Sequence, residues 1–203
     1  MNYPNGKTKS IKLVDKPIKT KQAIKSHLGI DFEDMLNKSN TYYLEHDIAV
    51  IYKKPTPIRI TKVDYPSRNK AKITEAYYQI PSTTDYNGIY KGYYIDFEAK
   101  SCNGKSFPFT NLYHHQIEHL KRVYNHLGIS FLIILFNDYK EIYLLKTSLL
   151  YKIYMDQFNG GRKSIPYEYF KENAIKINIG INPIVDYLKA VDLLIGEKHE
   201  HIC

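Results

Sequence analysis

The stretch STTDYNGIYKGYYIDFEAK, residues 82–100, carries an aspartate, Asp85, then a glutamate, Glu98, and two residues on a lysine, Lys100. Its second half alternates. A strand with a period of two places Tyr94, Asp96, Glu98 and Lys100 on one face and Ile95, Phe97 and Ala99 on the other. A half-exposed strand shows the same alternation for solubility alone. The chemistry of the side chains supports more. Two carboxylates suit a hard divalent cation such as Mg²⁺, which prefers oxygen ligands, and such a cation polarises a phosphodiester and activates water. Neighbours at i and i+2 on a strand are roughly 6–7 Å apart at Cα, so Lys100 can share a water and a phosphate with Glu98. Asp85 follows Ser-Thr-Thr at a bend. The expected path leaves that bend, turns near Gly88–Gly92 and returns along a strand that brings Glu98 and Lys100 back to Asp85. Asp96 shares the face and is assigned no catalytic part.

Outward from this stretch, the preceding segments IRITKV (58–63) and KITEAYYQI (72–80) alternate as strands around a polar DYPSRN turn, so residues 57–82 read as a projecting hairpin. A helix is predicted over 31–46, with Asp31 as its cap, and a strand over 48–53. After a loop, SCNGKSFPFT, a helix is predicted over 113–127, stopping at Gly128. ISFLIILF (129–136) is a continuous apolar run, the pattern of a central strand buried on both faces. EIYLLK (141–146) follows as its neighbour. Helices near 147–157, 167–172 and 183–195 and a strand over 174–179 complete the reading, with a basic loop GGRKS (160–164) between the first two helices. Part of the apolar surface in 129–155 is expected to serve as a subunit interface.

The 203 residues are 43% hydrophobic and 25% charged, ordinary for one globular domain. No apolar run reaches the roughly 18 residues of a membrane span, and the basic opening lacks the apolar core of a secretory signal. Two cysteines are too few for a disulfide framework or a cysteine zinc site. His115 and His119 lie four apart but without the H-E-x-x-H order of a zinc helix. An intracellular, cytoplasmic protein is expected. The net charge of +8 is clustered. Residues 1–25 hold Lys7, Lys9, Lys12, Lys16, Lys19, Lys21 and Lys25 against Asp15, and read as a basic flexible arm. Residues 57–72 hold Arg59, Lys62, Arg68, Lys70 and Lys72 against Asp64. Such clusters are the footprint of a polyanion binder.

Asp-x(n)-Glu-x-Lys is the signature of the PD-(D/E)xK nuclease superfamily. The longer string 82–100 resembles the RecU family of Holliday junction resolvases, as do YKKPTPIRITKVDYP (52–66), SFPFTNLYHHQIEHL (106–120) and GRKSIP (161–166). The resemblance covers most of residues 29–190. It implies a restriction-endonuclease-like α/β fold, a mixed central sheet flanked by helices, in one nuclease domain over 26–203 with 57–82 as a β-hairpin stalk that enters the junction. It implies a metal site of Thr83, Asp85, Glu98 and Gln116 holding Mg²⁺, with Mn²⁺ as a substitute. Lys100 orients the nucleophile or stabilises the transition state, and Glu33 in the first helix stands near the metal. On the stalk, Arg59, Lys62 and Lys72 are the implied phosphate contacts and Tyr77 and Tyr78 the base-stacking groups. Arg162 and Lys163 are candidate phosphate contacts in their loop. Leu28 stands where the family usually has arginine.

The implied activity is junction resolution by paired symmetric nicks in recombination and repair. Two nicks call for two sites and so a homodimer, with a strand-exchange recombinase and a branch-migration motor as partners. A related nuclease with another DNA substrate and a non-catalytic junction binder are the alternatives. If the arm touches DNA, deleting residues 1–25 weakens junction binding and flattens its salt dependence, because counterion release scales with the phosphates contacted. Equilibrium binding across a salt series checks this; an unchanged slope means the arm does not touch DNA.

Overall fold

The computed structural model describes residues 31–67, 70–79 and 83–200. The arm 1–25, His27, Leu28 and Arg68 lie outside them. The chain folds as mixed α/β, a central mixed sheet flanked by helices, with a hairpin separate from that sheet.

The quoted stretch forms the middle of the sheet. Strand β4 (Tyr86–Tyr90) turns at Lys91–Gly92, both at positive φ, into strand β5 (Tyr93–Cys102). The turn is therefore at Lys91–Gly92 alone; Gly88 lies within β4, opposite Ile51 of β1 (Val50–Lys53). Strands β1, β4 and β5 are antiparallel. A crossover through helix α2 (His114–Asn125) then lays β7 (Ile129–Phe136) parallel to β5, from Ile95 opposite Ile129 to Cys102 opposite Phe136. Strand β8 (Glu141–Lys146) and β10 (Ile175–Ile177) complete the order β1-β4-β5-β7-β8-β10.

Two hydrophobic cores sit on the two sides of this sheet. One holds Leu36 of helix α1 (Phe32–Glu45), Val191 of helix α5 (Leu188–Glu200), Tyr86, Phe97, Phe131 and Tyr187. The rings of Tyr86, Phe97 and Phe131 stack in a row across three strands, with centroids 4.8 and 5.0 Å apart. The other core packs Ile117 and Leu120 of α2, Leu150 of helix α3 (Thr147–Asp156) and Phe170 of helix α4 (Tyr167–Asn173). Strand β7 feeds both: Phe131 and Ile133 face the first core, Leu132 and Ile134 the second. That is why its sequence is apolar without alternation. The same fact narrows one expectation: β7 and most of β8 are interior, so within 129–155 the surface left for a partner is that of the 137–140 turn and of α3.

Two short strands, β6 (Ser106–Pro108) and β9 (Ser164–Pro166), pair outside the main sheet. They occupy stretches that read as loops, and three-residue strands leave too little alternation to be seen. The last helix starts at Leu188 rather than 183, after a cis Asn182–Pro183 bond and an isolated bridge between Ile179 and Val185. The hairpin strands β2 (Ile58–Asp64) and β3 (Lys72–Tyr78) pair only with each other, and every residue in them is exposed.

Gly88 has a packing reason to be glycine. A methyl group on its Cα would press on the Val50 carbonyl oxygen and lie 2.6 Å from Ile51 Cα, both backbone atoms that cannot step aside. Gly88→Ala is therefore expected to lower stability by about 2–4 kcal/mol, in the range of overpacking and ladder disruption, measured by urea denaturation. A loss under about 0.5 kcal/mol, the usual effect of a surface change, would contradict this packing.

Candidate active site

The polar face of β5 is covered by α2, so Asp96 and Glu98 are both fully buried. A buried carboxylate is tolerated only when paired or hydrogen-bonded, and the surrounding elements supply partners to each. Glu98 Oε2 accepts the backbone N–H of Asp85 at 3.1 Å. Glu98 Oε1 accepts the Gln116 amide nitrogen at 2.6 Å and pairs with the Lys100 ammonium at 2.6 Å. The Asp85 carboxylate in turn accepts the N–H of Ala99 at 3.4 Å. Asp85, Glu98, Lys100 and Gln116 thus meet.

The bend that carries Asp85 is fixed by its own carbonyl, which accepts the Lys54 N–H at 2.7 Å just beyond β1. Gln116 stands in the first turn of α2. Its side-chain oxygen accepts the N–H of Tyr113 at 3.0 Å, and its own N–H donates to the Tyr113 carbonyl at 3.0 Å. The amide therefore presents its nitrogen to Glu98 and orients that carboxylate. Thr83 lies half-buried in the bend before β4; the neighbouring Thr84, not Thr83, makes the described contact with a buried carboxylate, that of Asp96. Glu33, in the first turn of α1, is exposed and paired with Lys53.

Asp85, Lys100, Glu33, Thr110, Asn111 and Tyr113 line one open cleft of about 480 Å³. Arg162 and Lys163 are exposed just before β9, and the Lys163 carbonyl accepts the N–H of Phe109, the residue before Thr110. This loop is therefore tied to the segment that forms one wall of the cleft. Arg59, Lys62, Lys72, Tyr77 and Tyr78 all lie on the hairpin. Arg59 is paired with Tyr77 in register, and Tyr78 is 85% exposed.

Asp96 is the residue whose importance the sequence reading missed. Its Oδ2 accepts from the Lys54 ammonium at 2.8 Å, the Tyr94 hydroxyl at 2.8 Å and His119 Nε2 at 3.1 Å; Thr84 donates to its Oδ1. A carboxylate only accepts, so His119 carries its proton on Nε2. A signal was available. Asp96 alternates with Glu98 on one strand face, and a helix over that face buries both or neither.

The two carboxyls are driven in opposite directions. Burial would raise Asp96, but the hydrogen bonds from His119, Lys54 and Thr84 outweigh it and hold the group below the usual range. Burial, reinforced by the adjacent Asp85 charge and only partly offset by Lys100, pushes Glu98 up to about 8. A pair of acids with one left under-compensated fits a site for a cation. Among the described residues no three His, Cys, Asp or Glu side chains group closely enough to hold a metal by themselves.

Asp85 and Lys100 line the cleft, and the buried Glu98 is bonded to both behind them, so that the three form an Asp…Glu-x-Lys centre. The chain belongs to the RecU family, whose description is Recombination protein U and whose pattern matches residues 27–193. A protein of Bacillus cytotoxicus named Holliday junction resolvase RecU is 46% identical over 96% of this chain and 98% of its own. Proteins of the same name from Pediococcus pentosaceus and Bacillus cereus are each 47% identical, over 96% of this chain and 97% and 98% of their own. Among solved structures, Archaeoglobus fulgidus Hjc, a Holliday junction resolvase, aligns over 70% of this chain and 84% of its own with a TM-score of 0.33 and 10% identity, a loose likeness from which nothing further follows.

The raised Glu98 pKa has a thermodynamic consequence. A carboxyl whose folded pKa lies above its unfolded value of 4.5 binds more protons when folded, so its contribution is full below about 4.5 and is lost as pH rises through about 8. In chelator, the stability of Glu98→Gln relative to the unsubstituted chain should therefore rise across that window, by up to a few kcal/mol, and level off above it. Denaturant titrations from pH 4 to 9 check this; a flat difference would mean that Glu98 does not titrate in this window.

Proposed function

We propose that this chain is a Holliday junction resolvase, a divalent-cation-dependent endonuclease that opens four-way DNA junctions by paired symmetric nicks. The observation that carries the reading is the meeting of Asp85, Glu98 and Lys100, the first and last lining one cleft and Glu98 buried between them, in a chain whose family relatives bear that name. Asp85 and Glu98 would hold the cation, Mg²⁺ with Mn²⁺ as a substitute. The donor set fits Mg²⁺, which is commonly held by one or two carboxylates and fills its shell with waters and substrate phosphate. When bound, it would offset the repulsion between the two carboxylates and polarise the phosphodiester. Thr83 and Gln116 are proposed as further oxygen ligands; for Gln116 the amide would have to turn over and release the Tyr113 N–H.

The chain's own groups do the rest. Lys100, about a quarter exposed and held against Glu98, is placed to donate to a phosphate oxygen or to orient the attacking water. Water adds to phosphorus as the P–O bond to the leaving strand breaks. Glu33 lines the same cleft as Lys100 and is proposed to act near the cation, once released from Lys53. The hairpin, which buries nothing in the chain itself, would enter the open centre of the junction, with Tyr77 or Tyr78 stacking on bases and Arg59, Lys62 and Lys72 on phosphates. Arg162 and Lys163 would hold phosphate at the cleft wall. Two opposed nicks require two sites, hence a C2 homodimer. Work in recombination and repair in the cytoplasm, beside a strand-exchange recombinase and a branch-migration motor, belongs to the same proposal.

Cleavage of a synthetic four-way junction, a nicked duplex and linear duplex, with Mg²⁺ and with chelator, tests it. Paired nicking confined to the junction and abolished by chelator is expected. Equal cutting of linear duplex would point to a different substrate, and tight junction binding without cutting to a binding protein. Asp85→Asn and Glu98→Gln should each reduce cutting by at least about 10³-fold, the scale of lost transition-state stabilisation, while junction affinity stays within a few-fold. Loss of affinity in both would remove these residues from the catalytic role.

A further inference from the structure

Next to His119 and toward the C-terminal end of α2, a second open pocket of about 450 Å³ is lined by Tyr93, Tyr94, His119, Arg122, His126 and Leu127. No acidic side chain lines it. Among the described residues, the Arg122 guanidinium and the His126 ring have no ion pair or side-chain hydrogen bond, and both are exposed. The walls are nonetheless built. Tyr94 OH and His119 Nε2 both donate to the fully buried Asp96, and the charge of Asp96 is already matched by Lys54. The pocket is therefore a cationic recess with two of its sides pinned by one carboxylate, and nothing in it neutralises Arg122.

Its place along the sheet decides what it would hold. Tyr94, Asp96, Glu98 and Lys100 share one face of β5, so the recess and the catalytic cleft lie on the same side of the sheet. From Tyr94 to Glu98 the strand advances about 13 Å at roughly 3.3 Å per residue, a span that a DNA strand covers in a few nucleotides. A planar guanidinium suits a phosphate, which it can grip through two N–H groups.

We propose that this pocket is a second seat for the DNA backbone. It holds, through Arg122 with His119 and His126 beside it, a phosphate a few nucleotides from the one cut at Asp85 and Glu98. The proposal rests on the nuclease reading above and adds where the strand runs on leaving the cleft. Asp96 and Lys54 are positioning residues in it: they fix His119 and Tyr94 relative to the catalytic strand.

The test is equilibrium binding of four-way junction DNA to the full chain in chelator, across a salt series, for the unsubstituted protein, Arg122→Ala, Arg122→Lys and, as a control, Lys171→Ala on α4 near the opposite edge of the sheet. Arg122→Ala should lose several-fold to about tenfold in affinity and reduce the salt slope by about 0.9, the value for one phosphate contact. Arg122→Lys should restore the slope, and Lys171→Ala should leave it unchanged. Thermal melting of Arg122→Ala should match the unsubstituted chain, since Arg122 is exposed and unpaired. A scan of junctions with a single uncharged methylphosphonate linkage gives the position. At one linkage the loss should appear in the unsubstituted chain and vanish in Arg122→Ala, because both changes remove the same contact. An unchanged slope, or additive losses at every linkage, overturns the proposal. Both readouts need only binding, so a chain that bound junctions but failed to cut them would refute the nuclease reading and still report on this pocket.

Discussion

The site depends on one constraint: two carboxylates, Asp96 and Glu98, lie on a central strand whose polar face is roofed by a helix. An unpaired buried carboxylate costs several kcal/mol at least, so each must be met by donors from elsewhere in the chain. Those donors come from separate elements. Lys54 follows β1, Thr84 and the Asp85 N–H come from the bend, His119 and Gln116 from α2, and Lys100 from β5 itself. Satisfying the strand therefore draws the edge strand, the bend and the helix into one register. The geometry of the cleft is largely a by-product of that requirement. The opposite face of β5 sets the other half of the register, through Phe97 stacked between Tyr86 and Phe131.

Much of this was legible because it follows from periodicity. The alternation in YYIDFEAK, the unbroken apolar run of ISFLIILF and the amphipathic 113–127 segment each have one natural place in a sheet covered on both sides, and they take it. The hairpin was legible for the same reason, from two alternating runs about a polar turn. What was lost had no period to show. β6 and β9 are three residues each and depend on a partner some sixty residues away. Gly88 reads as a turn residue because glycine usually marks one, yet here it admits the backbone of β1.

Within the site, local spacing revealed Glu98 and Lys100, but nothing in one sequence could reveal Lys54 or His119 as partners of Asp96. They are separated from it by 42 and 23 residues, and they meet it only when β1 and α2 are in place. Asp96 is visible in the sequence as a third polar residue on the face of Glu98 and Lys100, and it is assigned no catalytic part there. Its structural part follows from the helix over that face, which buries Asp96 together with Glu98. Gln116 meets Glu98 through its amide nitrogen, and the amide oxygen that a metal ligand would offer accepts the Tyr113 N–H.

The contrast between the two buried acids locates the demand for positive charge. Asp96 receives Lys54, His119, Tyr94 and Thr84 and is held ionised. Glu98 receives one ammonium, one amide and one backbone N–H, faces Asp85, and is pushed toward its neutral form. They sit two residues apart under the same helix, so burial alone does not separate them; the partners do. The fold satisfies Asp96 fully and leaves the carboxyl of Glu98, beside Asp85, short of donors. Opposed pKa shifts in adjacent acids mark a division of roles. Asp96 ties the strand to the helix and to Lys54, whereas Glu98 and Asp85 are the pair left short of positive charge, where the proposed nuclease would hold its cation.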